Sequence, residues 1–163
     1  MVGRQRDGQT MDMEFELDDK DLQIISALQI DGRASFAEIA REIELSPAAI
    51  RLRVKRLLDS GTLDIVAVTD PLRIGFTMQA MIGLTTDGDI EALSEEIGKL
   101  GPVTYVVLTA GRFDLLVEVL CTDNDHLLQV IGQLRALEGV SSTETFTYLR
   151  LAKQTYAWGL PPG

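Results

Sequence analysis

Thiol and imidazole are nearly absent from this chain of 163 residues, which has one cysteine, Cys121, and one histidine, His126. A lone thiol excludes an intramolecular disulfide, is too few for a zinc site, and fits a reducing, cytoplasmic setting. Cys121 closes the apolar run Leu115-Leu116-Val117-Glu118-Val119-Leu120 and reads as a small buried side chain. His126 lies in Asp123-Asn124-Asp125-His126-Leu127, a helix start where capping or solvent exposure is the expected role. Paired catalytic carboxylates, a glycine-rich phosphate cradle and Cys/His clusters are missing as well. No catalytic residue, no metal ligand and no cofactor is therefore expected. No apolar stretch approaches the about 20 residues that span a bilayer, and no charged-then-apolar leader opens the sequence as given, so no membrane partner is expected.

Positive charge is scarce too: 15 Lys and Arg stand against 25 Asp and Glu, a formal net charge of −10. Such a balance opposes nucleic acid, whose affinity rests mainly on neutralised phosphates. The distribution reverses that inference. Between Ser46 and Ser60, four cations (Arg51, Arg53, Lys55, Arg56) meet one acid, Asp59, whereas residues 70 to 163 hold six cations and twelve acids. The acidic part should face away from a polyanion, leaving binding modest per subunit and salt-sensitive. With 45% hydrophobic residues, this length supports one large or two small domains with a real core.

The cationic stretch is patterned as a helix. Ser46 can cap the first amides, Pro47 suits the first helical position and Gly61 supplies a stop. At about 100° per residue, Ile50, Val54, Leu57 and Leu58 form one apolar stripe. Arg51, Lys55 and Arg56 fall outside it, Ala48, Ala49 and Leu52 share that outer face, and Arg53 sits at its edge. Small apolar groups ringed by cations suit a DNA major groove. Upstream, Leu22, Ile25 and Leu28 recur at helical spacing behind the cap-type carboxylates of Leu17-Asp18-Asp19-Lys20-Asp21, and Asp31-Gly32-Arg33 ends that helix. Ser35 and Glu38 make a capping box for a second helix carrying Phe36, Ile39, Ala40 and Ile43 on one face. A tight turn at Glu44-Leu45 completes a helix-turn-helix, with Glu44 where glycine is usual and a left-handed backbone costs roughly 1 kcal/mol.

Leu63 to Thr69 is an extended-type run, expected as a linking strand or wing, and residues 71 to 76 as a hinge. Beyond it the order is a strand (Thr77 to Thr86), a helix (Ile90 to Leu100), two strands (Val103 to Ala110, Asp114 to Leu120), a helix capped by Asp123 and running to about Leu137, and a last strand (Val140 to Leu151). The two central strands are joined at Gly111-Arg112-Phe113, where a positive φ at the glycine is expected. This is the ferredoxin-like arrangement, an antiparallel sheet with both helices on one face. The fold class is α+β: a three-helix, winged helix-turn-helix domain followed by a ferredoxin-like βαββαβ domain. The bare sheet face, apolar along Val103-Thr104-Tyr105-Val106-Val107-Leu108, predicts a homodimer packed sheet against sheet.

Taken together, Leu17-Asp18-Asp19-Lys20-Asp21-Leu22-Gln23-Ile24-Ile25, Asp31-Gly32-Arg33-Ala34-Ser35, Leu45-Ser46-Pro47, Arg53-Val54-Lys55-Arg56-Leu57, Thr109-Ala110-Gly111-Arg112-Phe113-Asp114-Leu115-Leu116 and Ser142-Thr143-Glu144-Thr145 resemble the Lrp/AsnC family of feast/famine regulators. The resemblance covers about residues 17 to 152; Glu44 at the turn departs from it. It implies a DNA-binding transcriptional regulator whose second domain binds an amino acid or related metabolite between dimers, in an assembly that is commonly an octamer. The effector site so implied is Thr109, Gly111, Arg112, Phe113 and Asp114: Asp114 offers an acceptor for an ammonium, and the amides around Gly111 offer donors for a carboxylate. The DNA-binding set is Ser35, Ser46, Ala48, Ala49, Arg51, Leu52, Arg53, Lys55 and Arg56. Arg51, Lys55 and Arg56 are expected mostly on phosphate, and Ala48, Ala49, Leu52 and Arg53 on base edges. The expected domains are a disordered tail (1–16), the helix-turn-helix domain (17–63), a linker strand and hinge (64–76), the ligand-binding and oligomerisation domain (77–152) and a C-terminal tail (153–163). The rival is a ligand-sensing or protein-docking module of the same fold that does not bind DNA, against which the four cations speak.

Overall fold

The computed structural model describes residues 16–155 and Gly159; the expected disordered tail falls almost wholly outside these, as do Tyr156 to Trp158. The chain divides at Val68/Thr69 into two compact units.

The first unit holds α1 (Asp19–Ile30), α2 (Phe36–Glu42) and α3 (Pro47–Asp59). Each begins on a short polar side chain that accepts from an amide the first turn leaves unpaired. Asp18 accepts from the Asp21 amide while the Asp21 carboxylate accepts from the Asp18 amide, and Ser35 and Glu38 form the same reciprocal box. Ser46 accepts from Ala49, ahead of Pro47 in the first helical turn. Ile24, Ile39, Ile50 and Leu57 are wholly or almost wholly buried where the three helices meet. Between α2 and α3, Glu44 has φ +57°. The Leu45 amide donates back to the Ala40 carbonyl at 2.9 Å, the six-to-one bond of a Schellman turn. Lys20 Nζ donates to the Ile43 carbonyl at 2.7 Å, tying α1 to this turn.

The run from Leu63 to Thr69 forms no strand: its residues have no regular structure, and Ile65, Val66 and Val68 are exposed. A β-branched run becomes a strand only where an edge offers unpaired amides and carbonyls, and an all-helical unit has none. A 3-10 turn over Pro71–Ile74 follows, capped by Asp70.

The second unit is β1 (Met78–Thr86), α4 (Ile90–Gly98), β2 (Val103–Leu108), β3 (Leu115–Cys121), α5 (Asn124–Arg135) and β4 (Val140–Thr147). The sheet is antiparallel in the order β2-β3-β1-β4, the ferredoxin-like arrangement. Alternate residues, Ala80, Ile82 and Leu84 on β1 and Leu115, Val117, Val119 and Cys121 on β3, are buried against Leu93 and Ile97 of α4 and Leu127, Val130 and Leu134 of α5. Cys121 is part of this core, and burial, then the charge of Asp123, pushes its thiol pKa up. The residues between, among them Met81 and Gly83 on β1, Leu116 and Glu118 on β3, Tyr105 and Val107 on β2 and Glu144 and Phe146 on β4, line the opposite face. There Tyr105 keeps 53% and Phe146 43% of its surface exposed.

Candidate functional sites

Helix α3 presents two chemically distinct faces. Ile50, Val54 and Leu57 are buried, whereas Ala48, Arg51, Leu52 and Lys55 are exposed, Leu52 at 71%. Leu52 thus stands as an apolar side chain among charged ones on the open face of the helix. Leu52, Arg53, Lys55, Arg56 and Asp59 border an open hollow on this side. Lys55 pairs with Asp59 one turn on. No ion pair among the described residues involves Arg51.

Arg53 is placed otherwise than its sequence position predicts. Instead of pointing at a groove, its Nη1 donates to Asp18 Oδ1 at 2.9 Å and Oδ2 at 2.8 Å, and to Asp21 Oδ1 at 2.7 Å. Those bonds, to Asp21 first and Asp18 second, raise the guanidinium pKa further. Arg56 Nη2 donates to the other oxygen, Asp21 Oδ2, at 2.6 Å. Asp21 is the one buried charged residue among those described, with 0% of its surface exposed. The Asp21 amide, then Arg53, holds the Asp18 carboxyl below the usual carboxylate range. Ser35 is exposed, but its hydroxyl donates to Glu38 Oε2 at 2.7 Å and accepts from the Glu38 amide, so it is committed to the cap. Ser46 serves as the α3 cap, and Ala49 is half-buried beside it.

In the second unit the β2–β3 connection closes through the Thr109 amide, which donates to the Asp114 carbonyl at 2.9 Å, and the Thr109 hydroxyl, which donates to the Phe113 carbonyl at 2.6 Å. Gly111 is not among the residues with positive φ, contrary to the sequence expectation. Six residues with a hydroxyl clamp turn the chain without the left-handed step that a two-residue hairpin demands. Asp114 Oδ2 accepts from the Thr86 amide at 2.7 Å, so one carboxylate oxygen fastens the loop to the end of β1. Arg112 pairs with Glu144 of β4 at 2.7 Å, and its guanidinium carbon lies 5.2 Å from the centre of the Phe113 ring. Phe113 meets Phe146 edge to face at 6.0 Å and sits over Gly83.

Four of the five expected effector residues thus join in one bonded loop, with Gly111 exposed at its tip, and Gly83, Thr86, Glu144 and Phe146 join them from β1 and β4. Gly83 carried a sequence signal, a glycine inside a strand pattern, and Glu144 lay in the family-like stretch Ser142-Thr143-Glu144-Thr145; Thr86 and Phe146 carried none.

An AsnC-type helix-turn-helix domain family matches residues 17–58, and a Lrp/AsnC ligand binding domain family matches residues 79–158. An HTH-type transcriptional regulator of Pyrococcus horikoshii is 30% identical over 147 residues, 88% of this chain and 93% of that protein. The proline dehydrogenase transcriptional activator of Rhizobium radiobacter is 31% identical over 146 residues, 86% of this chain and 94% of that protein. Among solved structures, a transcriptional regulator of Neisseria meningitidis in complex with L-Met aligns with TM-score 0.77 and 26% identity over 89% of this chain and 96% of that one. AsnC of E. coli aligns with TM-score 0.76 and 25% identity over 85% of this chain and 95% of that one.

Proposed function

Because the chain belongs to the Lrp/AsnC family of helix-turn-helix transcriptional regulators, we propose that it controls genes of amino-acid or related metabolism and that an amino acid or a close relative of one is its effector. The observation that carries the DNA half is the exposed face of α3, where Ala48, Leu52, Arg51 and Lys55 stand opposite a buried Ile50, Val54 and Leu57. Residues 17–63 grip the duplex. Ala48, Ala49 and Leu52 meet base edges and thymine methyls, and Arg51, Lys55 and Arg56 take phosphates. Two copies of α3 reach successive major grooves once the uncovered sheet faces pair in a homodimer, which the exposed Tyr105 and Phe146 support.

The sensor half rests on residues 77–152. Arg112 answers a carboxylate, Asp114 and Glu144 offer acceptors for an ammonium, and the Phe113–Phe146 pair supplies an apolar wall. The relative named for proline dehydrogenase and the structural neighbour holding L-Met support an effector of this class. Such a ligand acts on DNA only through its difference in affinity for two packings of dimers. The test is gel retardation with the chain's own upstream region, alongside sedimentation and thermal-shift screening of the twenty amino acids. Retardation by an oligomer, with one or more amino acids raising the melting temperature and changing the sedimentation profile, is expected. A monomer that retards no fragment in dilute buffer overturns the DNA half, leaving a docking or sensing module; indifference to every amino acid overturns the sensor half.

A further inference from the structure

The recognition helix carries four cations, and the buried end of α1 takes hold of two of them. Asp21 sits one turn into α1, yet both of its oxygens reach α3: Oδ1 takes Arg53 at 2.7 Å, and Oδ2 takes Arg56 at 2.6 Å while also accepting from the Asp18 amide at 3.3 Å. Asp18 adds two further bonds to the same Arg53 nitrogen. Two acids and two guanidinium groups meet here, and the acid at their centre is inaccessible to solvent. The guanidinium planes are fixed by charge-assisted bonds, the strongest kind a side chain makes.

We propose that Asp21 is a positioning residue for DNA recognition, one that decides which cations of α3 count toward phosphate binding. It takes Arg53 out of the phosphate-neutralising set altogether. It also bonds one amino group of Arg56, so that both guanidinium groups on this edge of α3 are tied to α1. This rests on the DNA-binding reading above. Its consequence is for selectivity: an unheld arginine binds every duplex, since phosphate contacts carry no sequence information, whereas one held by carboxylates adds nothing to that background. An acidic regulator benefits doubly, because its sequence-independent background stays low while the seated complex keeps Arg51 and Lys55.

Asp21→Asn in the full chain is the direct test, because the amide keeps the shape but loses the charge that Arg53 and Arg56 share, leaving Arg53 only the exposed Asp18. Binding is measured to the chain's own upstream fragment and to a random duplex of equal length, each over a range of salt. Every neutralised phosphate contributes about 0.9 to the salt slope. The variant is expected to bind the random duplex more tightly, with a slope steeper by about one, and its preference for the upstream fragment is expected to fall roughly tenfold. A merely structural role would lower binding to both duplexes in step with folding and never steepen the slope, and that outcome overturns the proposal. Should Asp21→Asn fail to fold, Arg53→Gln decides. A slope unchanged within a few tenths supports the assignment; a slope flatter by about one shows Arg53 on a phosphate and overturns it. Lys55→Ala is the control for the underlying reading. Loss of about one from its slope while Asp21→Asn changes nothing refutes only the role of Asp21; a wild-type chain that binds neither duplex refutes the reading beneath it.

Discussion

The ring of Phe113 occupies the space that a side chain on Gly83 would need: a β-carbon built there meets Cγ and Cδ2 of the ring at 2.6 Å and Cδ1 at 2.8 Å. The missing side chain is what lets the β2–β3 connection fold down onto the sheet and bring Arg112 within reach of Glu144, the residue facing Gly83 across the β1–β4 ladder.

Gly83→Ala therefore has an expected sign opposite to the usual one. A glycine inside a strand is ordinarily a weakness, and alanine there removes backbone freedom from the unfolded chain. Here the new methyl is fixed to the strand and cannot turn away, so the ring must leave, giving up its edge contact with Phe146 and its place beside Arg112. The expected cost is about 1 to 3 kcal/mol, the range for overpacking, read from urea unfolding. A variant as stable as the wild type would show that nothing is strained when the ring moves.

Arg112 separates binding from folding. Its pair with Glu144 is solvent-facing, the arginine side chain being 77% exposed, and ion pairs of that kind are worth about 0 to 1 kcal/mol. Arg112→Ala is expected to unfold within about 0.5 kcal/mol of the wild type and to lose the thermal shift produced by any amino acid that the native chain binds. Retention of that shift would remove Arg112 from the effector site.

Much of this architecture was readable from local sequence because local chemistry causes it. The Ser35–Glu38 box, the Ser46 and Asp123 caps and the left-handed Glu44 depend on residues within four positions of one another. Long-range contacts were invisible for the same reason. Asp21 has the appearance of one more helix-start carboxylate, and only the approach of α3, more than thirty residues on, shows it buried between two arginines. Arg53, read on a wheel as the edge of the groove-facing side, is drawn back by that acid. Leu63 to Thr69 has strand composition but no edge to join, and composition reports only the first. In the effector loop the family motif pointed to Arg112, Phe113 and Asp114, while Glu144 and Phe146 arrive from a strand some thirty residues away, through the β1–β4 register.

Tyr148 gives a titration that reports on the open sheet face. Its hydroxyl donates to Glu118 Oε1 at 3.0 Å, while Gln79 Nε2 donates to the same oxygen and the Thr104 hydroxyl to the other. Burial first, then the adjoining carboxylate, pushes the phenol up to about 12, against an ordinary value of about 10. Since the folded value is raised, the stability it contributes is complete below about pH 10 and is lost as pH climbs through about 12. Phenolate absorbance should show one of the three tyrosines ionising late, and Tyr148→Phe should remove that phase. Glu118→Gln abolishes the charge but not the burial, so the midpoint should fall toward the ordinary value without reaching it. A native Tyr148 that ionises near 10 would mean that Glu118 does not hold it.

Glu44 is the place where this chain pays for a non-glycine turn. At φ +57° its β-carbon crowds the backbone, a cost of roughly 1 kcal/mol. The surrounding bonds enforce the conformation all the same: the Leu45 amide reaches the Ala40 carbonyl only if the chain reverses here, and Lys20 clasps the Ile43 carbonyl just before it. Glu44→Gly relieves the crowding but enlarges the freedom of the unfolded chain, which takes back about 0.5 kcal/mol. The net expectation is a gain of about 0.5 kcal/mol in urea unfolding, with DNA affinity unchanged because α3 keeps its seat. Glu44→Val, whose branched side chain tolerates the left-handed region far less, should lose more than about 1 kcal/mol. The pair fixes the interpretation: equal stability of the glycine and valine variants would mean the turn relaxes to negative φ, and the left-handed backbone at Glu44 would then not be what orients α3 after α2.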